Sequence, residues 1–230
     1  MSKAPLIALL AGSRETRMAA QWLAGTPASV VAVWARGADR VDLGLTERDA
    51  VPPDAVGILD ATPAFDTQTR ATAIARLPRA IYGRVGRAPW IAEPGDRWTE
   101  VDTLSDAITA LPSGARVFAA TGRASLAALS HHDGPVVLRQ LTRHVQPTGY
   151  PNCRYEFGTA PFDPVDEAAL FQRLQIDVLL ARNIGGTGSF PKLAAARALG
   201  CPVVLLRPPA LPMGAVLRTA ADVAQWVEKL

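Results

Sequence analysis

The stretch ARVFAATGRASLAALS, residues 115–130, decides the reading of the fold. An uninterrupted apolar run of strand length meets a turn built on Gly122 and then a segment of helix formers, and APLIALLAGSRETRMAAQWL, residues 4–23, has the same layout around Gly12. The pattern that opens the chain therefore restarts halfway along it. Between the two, VVAVWA (30–35), VGILDAT (56–62) and AIYGRV (80–85) read as buried strands, with a helix in TQTRATAIARL before Pro78. After the restart come VVLRQL (136–141), DVLLAR (177–182) and PVVLLRP (202–208). Short apolar strands separated by helices predict parallel sheets covered on both faces. The expected architecture is α/β, with two Rossmann-like doubly wound domains, 1–112 and 113–230, facing each other across a cleft. VDTLSDAITALPSG (101–114) is expected to be the helix that closes the first, and the last helix is free to pack back on it.

Further helix boundaries are legible. PFDPVDEAALFQRL offers Asp163 as an N-cap, Pro164 at the first helical position and acidic residues in the first turn. A helix begins near Phe190, and TAADVAQWVEKL closes the chain as an amphipathic helix.

A hydrophobic content of 49% is ample for a buried core. The apolar segment PLIALLAG ends at Gly12 and is followed by Arg14, Glu15 and Arg17, too short for a membrane span and without a signal-cleavage region, so a cytoplasmic location and no membrane are expected. Cys153 and Cys201 have no partner spacing for a disulfide framework or zinc, and His131, His132 and His144 have none for a metal, so no metal site is expected. The net charge is only +3, and no Lys/Arg block is interleaved with aromatics, which argues against nucleic acid as a partner. The cations are almost all arginine, whose planar fork matches carboxylate and phosphate.

In open α/β sheets ligands bind beyond the carboxyl ends of the strands, so the turns there hold the candidate site. The first, AGSRE, presents Gly12, Ser13 and Arg14 at a helix N-terminus, suited to an anion. Arg36, at the end of the second strand, stands where a dinucleotide fold reads the adenosine ribose and leans toward NADP if the nucleotide occupies this half. Asp60 and Thr62 end the third strand. Arg84, Arg87 and Trp90 in GRVGRAPW suit a flat molecule bearing carboxylates. In the second half, Thr121, Gly122 and Arg123 form a turn like the first, and Arg139 and Arg143 follow the next strand.

The most specific segment is ARNIGGTGSFPKL (181–193). Arg182 and Asn183 end a strand; Gly185, Gly186 and Gly188 free the backbone around Thr187; Lys192 stands early in the next helix. Three glycines exceed what a simple corner requires, and the order is not that of a Walker A loop. Ligand contact is the expectation.

RNIGGTGSFPKLAAARALGCPVVLLRPP resembles the Lys-Asn-Ser-Gly-Gly segment, lysine-bearing helix and closing Arg-Pro strand of the precorrin-6A reductase family of cobalamin biosynthesis. FAATGRASLAAL is similar to that family's Thr-x-Gly-Arg turn, RAPW to its Arg-Pro-x-Trp, and EFGTAPF to its Gly-x-x-Pro-Phe. Three departures stand out: Arg182 and Ile184 replace the usual Lys and Ser, AGSRE has one glycine fewer than the family's first turn, and DATPAF lacks a histidine that usually follows Asp60 and Thr62.

The resemblance implies a reductase that delivers a hydride from NADPH to a macrocycle double bond of precorrin-6A, giving precorrin-6B. Taken with the reading of the turns, it leads to expected cofactor contacts at Gly122, Arg123, Arg182, Asn183, Gly185, Gly186, Thr187, Gly188 and Lys192, and expected substrate contacts at Gly12, Ser13, Arg14, Thr62, Arg84 and Arg87. The proton donor is open, with water, Asp60 and Glu15 as candidates. A metal-free and a cobalt-bearing substrate both fit, as does transfer of product to neighbouring pathway enzymes. The alternative is a non-catalytic paralogue that binds nucleotide or tetrapyrrole; a tetrapyrrole enzyme of another reaction type is a third reading.

Overall fold

The computed structural model describes residues 4–230 as two compact units, one comprising the chain up to Arg87 together with Pro209–Leu230, the other Ala88–Pro208. Each is built on a six-stranded sheet in which every pairing is parallel.

In the first unit the strands are β1 (Leu6–Ala11), β2 (Ser29–Trp34), β3 (Thr46–Arg48), β4 (Gly57–Asp60) and β5 (Ile81–Val85). The helices are α1 (Thr16–Ala24) and α2 (Thr67–Arg76). The second unit opens with β6 (Trp98–Val101) and α3 (Leu104–Ala110), then β7 (Val117–Ala120), a single 3-10 turn (Arg123–Ser125), α4 (Leu126–Leu129), β8 (Val136–Gln140) and β9 (Cys153–Phe157). It continues through α5 (Pro164–Leu174), β10 (Val178–Arg182), α6 (Pro191–Ala198) and β11 (Val203–Leu206). The chain then returns to the first unit as β12 (Ala215–Leu217) and α7 (Ala220–Val227).

The sheet orders are β3-β2-β1-β4-β5-β12 and β9-β8-β7-β10-β11-β6. Both follow the dinucleotide-fold order 3-2-1-4-5-6, with strand order reversing direction between the first and fourth positions. In each sheet the sixth position is filled from outside the local run: β12 arrives from the end of the chain, and β6 precedes β7 in the sequence. The boundary expected at 112 therefore differs from the observed division after Arg87, because Trp98–Val101 pairs with β11.

Alternation along β1 supplies both faces of the first sheet. Ile7 and Leu9 pack with Leu23 of α1 and with Val223 and Trp226 of α7, while Ala8 and Leu10 pack with Ala73 of α2. Two glycines make room for α7. A Cβ on Gly57 would lie 2.9 Å from Leu230, and one on Gly83 would lie 2.9 Å from the Trp226 ring. In the second unit, Phe118, Leu179 and Val203 pack against Phe171 and Leu174 of α5 and Leu193 of α6.

The caps follow the sequence reading at α5, where the Asp163 carboxylate accepts from the Val165 amide at 2.8 Å and Pro164 opens the helix. The helix expected over 101–114 is shorter, since the Thr103 hydroxyl, accepting from Asp106, starts it and the residues before are strand. The helix expected after Gly122 is only a 3-10 turn and four residues of α-helix. Among the described residues, no helix is long and apolar enough to cross a membrane.

Candidate functional site

Topology places two turns side by side in the second unit. β7 and β10 are paired in register through Ala120 and Ala181, so the TGR turn and the RNIGGTG loop leave adjacent strands at the same edge. This is the point where strand order reverses, the usual ligand crevice of a doubly wound sheet. A Cβ on Gly122 would lie 3.9 Å from the Arg182 guanidinium, which measures how near the two turns are. Gly122, Gly185 and Gly186 have φ of 82°, 68° and 73°, values that L side chains adopt only with strain.

Each turn is braced from behind. In the first, the Thr121 and Ser125 hydroxyls are 2.6 Å apart and Ser125 donates to the Gly122 carbonyl at 2.6 Å. In the second, buried Asn183 and Trp90 exchange bonds: the Trp90 amide donates to Asn183 Oδ1 at 2.8 Å, and Asn183 Nδ2 donates to the Trp90 carbonyl at 2.9 Å. The Trp90 indole then donates to the Gly186 carbonyl at 2.7 Å. Lys192 donates to the Ser189 carbonyl, and its ammonium lies 5.5 Å from the Trp90 ring centroid. With carbonyls turned to these braces, the amides of Gly122, Arg123, Gly186, Thr187 and Gly188 have no protein acceptor among the described residues. A cluster of such amides, with Arg123 and Arg182 beside it, is a cradle for an anion.

The electrostatics separate Lys192 from the other cations. Burial pulls its ammonium down to about 8, with the Glu167 carboxylate pushing it up and Arg139 pushing it down. Its ammonium faces Ser189 and Trp90, a geometry that holds the glycine loop in place. Burial also lowers the pKa of Arg182.

The corresponding turns of the first unit are built differently. The Gly12 amide donates to Thr16 Oγ1 at 2.9 Å, that of Ser13 to the Ala61 carbonyl at 3.0 Å, and that of Glu15 to Ser13 Oγ at 3.2 Å. These amides are spent on the turn itself. A Cβ on Gly12 would lie 2.8 Å from Ala35 and 3.2 Å from Pro63, so the glycine serves close internal packing. Arg14 and Arg36 are exposed.

Asp60 and Thr62 depart from their expected roles. Asp60 is fully buried, and its carboxylate accepts from the Thr62 amide (2.8 Å), the Thr62 hydroxyl (2.6 Å), Arg70 Nε (2.6 Å) and the Tyr82 hydroxyl (2.5 Å). Burial pushes its pKa up, but the charge of Arg70 and the bonds from Thr62, Tyr82 and Arg70 outweigh this, and the net shift is downward. It holds an ionised, structural carboxylate with no proton to give. Thr62 is turned inward to it. Glu15 likewise accepts from Arg87 Nε at 2.5 Å; burial raises its pKa, the Ser13 and Arg87 interactions lower it more, and it too stays ionised. Neither candidate acid is equipped for that task.

Arg70 and Tyr82 escaped the sequence reading. Arg70 lies three positions before Ala73 on the buried face of α2, and a lone arginine on an apolar stripe opposite a strand-end carboxylate was the signal available. Arg84 adds a second guanidinium 3.5 Å from Asp60, leaving surplus positive charge at this edge; Nη1 of both Arg70 and Arg84 is buried without a hydrogen-bond partner among the described residues.

Comparison with known proteins agrees with this geometry. The family model described as precorrin-6x reductase CbiJ/CobK matches residues 53–228. A precorrin-6A reductase from Rhodobacter capsulatus is 37% identical over 177 residues, 74% of this chain and 69% of that protein. One from Rhodococcus erythropolis is 38% identical over 190 residues, 79% and 74% of the respective chains. A solved structure described as CobK precorrin-6A reductase superposes with a TM-score of 0.81 at 31% identity, covering 99% of this chain and 97% of that one. The two six-stranded sheets, their switch-point turns and these relatives together place the chain in the precorrin-6x reductase family, CbiJ/CobK.

Proposed function

We propose that this protein is an NADPH-dependent precorrin-6A reductase, reducing a macrocycle double bond to give precorrin-6B. The observation that carries the reading is the pair of adjoining turns at the switch point of the second sheet. Their positive-φ glycines and unspent amides fit a pyrophosphate, and Arg123 and Arg182 offset its charge. When bound there, NADPH supplies the hydride.

The protein's own part is binding and orientation. Gly122, Gly185 and Gly186 allow the backbone to approach the phosphates; Thr187 and Ser189 add hydroxyls; Asn183, Trp90 and Lys192 hold the loop in its receptive shape. A preformed site of this kind contributes through positioning, since it removes the cost of ordering the loop on binding. In the first unit, Arg84 and Arg87 fit the carboxylates of a tetrapyrrole-derived ring, Arg84 through the charge that Asp60 leaves uncompensated beside Arg70. With their pKa values lowered, Asp60 and Glu15 are poor proton donors, which favours water as the source of the proton that accompanies the hydride.

The test is incubation with precorrin-6A and NADPH, following loss of nicotinamide absorbance together with the change in the macrocycle spectrum. Coupled changes are expected. NADPH binding without oxidation would favour a non-catalytic binder, and absence of nucleotide affinity would overturn the reading.

A further inference from the structure

The motif EFGTAPF (156–162) and Arg139 of β8 converge in a buried cluster that reaches the glycine loop through Lys192. The Arg139 guanidinium lies over two rings, 5.0 Å from the Phe118 centroid and 4.7 Å from that of Phe162, the last residue of the motif. A Cβ on Gly158 would lie 2.8 Å from Arg139 Nη1 and 2.9 Å from the Phe162 ring, so the motif's glycine makes room for this stack. Arg139 Nη2 donates to Glu167 Oε1 of α5 at 2.9 Å, with the two side chains only 9% and 6% exposed.

Lys192 is the third charge of the cluster. The Glu167 carboxylate raises its pKa and Arg139 lowers it, yet Lys192 forms no ion pair with Glu167 among the described residues. Its one hydrogen bond among them goes to the carbonyl of Ser189, which follows directly on Gly188, the last of the unspent amides of the loop. Of the other charged residues on the surrounding elements, Asp163 and Asp166 of α5 are exposed, Arg197 of α6 is paired with Glu93 and Asp96, and Arg182 ends β10 where the loop begins. A buried carboxylate beside an ammonium gains most by closing on it. Here Arg139, fixed by its two rings, claims that carboxylate, and the ammonium stays on the loop with its charge unpaired.

We propose that Arg139 and Glu167 are positioning residues for the cofactor phosphates: by engaging the carboxylate that Lys192 would otherwise pair with, Arg139 keeps the ammonium against the Ser189 carbonyl, where its charge favours an anion in the cradle. Cofactor affinity therefore follows the charge of Lys192 and falls as that charge is lost. This rests on the assignment of the phosphates to the glycine loop.

The Kd of NADPH, measured on the whole protein by nucleotide fluorescence across the neutral and alkaline range, tests this without turnover. In the wild type it should rise about tenfold through a single break at about pH 8, the order of one charge-assisted contact. Glu167→Gln removes the charge that supports the ammonium and should move the break to lower pH. Arg139→Met frees the carboxylate to pair with Lys192 and should move the break to higher pH while weakening affinity at neutral pH. Lys192→Arg, whose charge persists throughout, should abolish the break. Circular dichroism checks that each variant is folded; if those at Arg139 and Glu167 are not, the wild-type and Lys192→Arg profiles decide. A Kd independent of pH in the wild type, a break that survives in Lys192→Arg, or breaks that stay in place or move the same way in the Glu167 and Arg139 variants would overturn the inference and spare the assigned function. No affinity of the wild type for NADPH at any pH would overturn both readings.

Discussion

Replacing Asp60 by asparagine should destabilise the protein by about 4 kcal/mol, because the substitution keeps the shape of the side chain and removes only what the buried network requires. Oδ1 accepts two bonds from Thr62, and Oδ2 accepts from Arg70 and Tyr82. An amide nitrogen in either place opposes donors with a donor, so two of the four bonds are lost. The Arg70 side chain, only 3% exposed, is left without its counter-charge. Removing one partner of a buried ion pair costs about 3–5 kcal/mol, and two bonds to a charged acceptor at about 1.5–3 kcal/mol each give about 3–6 kcal/mol, an overlapping range. For a chain of this size the midpoint of thermal unfolding should fall by about 8–16 °C. Tyr82→Phe, which removes one bond, should cost about 2 kcal/mol. Urea unfolding followed by tryptophan fluorescence and circular dichroism would measure both, with unchanged m-values required for the comparison. The sign with pH follows from the lowered pKa of Asp60. Its stabilisation is complete above the unfolded value, 3.8, and is lost as pH falls below it, so the gap between wild type and Asp60→Asn should close in acid. A cost under about 1 kcal/mol for Asp60→Asn, well below the buried-pair range, would refute the network as a stabilising unit.

Three further outcomes concern the site. Gly186→Val should weaken NADPH binding by tenfold or more, roughly the effect of 1–2 kcal/mol of left-handed backbone strain in the cradle, while thermal stability changes little; equal affinity would place the phosphates elsewhere. Trp90→Phe keeps a ring beside Lys192 but drops the bond to the Gly186 carbonyl, so it should raise the Kd for NADPH and leave turnover at saturation near that of the wild type; a fall in kcat alone would contradict a positioning role. Lys192→Met should gain stability relative to the wild type at neutral pH, where the buried ammonium is charged, and the gain should shrink as pH rises from about 8 toward 10.5, the window in which only the unfolded chain holds that proton; a pH-independent difference in urea titrations would show that Lys192 is not a buried charge.

The central strands were legible because burial on both faces writes them as continuous apolar runs: LIALLA, VVLRQ and VLLAR needed no partner to be read. The edge strands were not. TER is exposed along its length, WTEV has two exposed residues and AVL buries only Leu217, so their pairing depends on a neighbour that local sequence does not name. Missing WTEV misplaced the domain boundary. At the site, glycine number marked the RNIGGTG loop, but which amides remain unspent depends on distant braces such as Trp90, ninety-three positions from Asn183. The same blindness made Asp60 look available, since Arg70 and Tyr82 reach it only once α2 and β5 are packed.

The origin of each sixth strand has a consequence for the order of assembly. As the polypeptide is synthesised, β6 through β11 emerge as one continuous run, so the second sheet can be completed while the first still lacks its outer strand. The first must wait with Gly57 and Gly83 uncovered until β12 and α7, which follow β11 in the chain, arrive to fill them. A nascent chain stalled just before β12 would hold one finished half and one open sheet edge, a form vulnerable to proteolysis and to pairing with another chain.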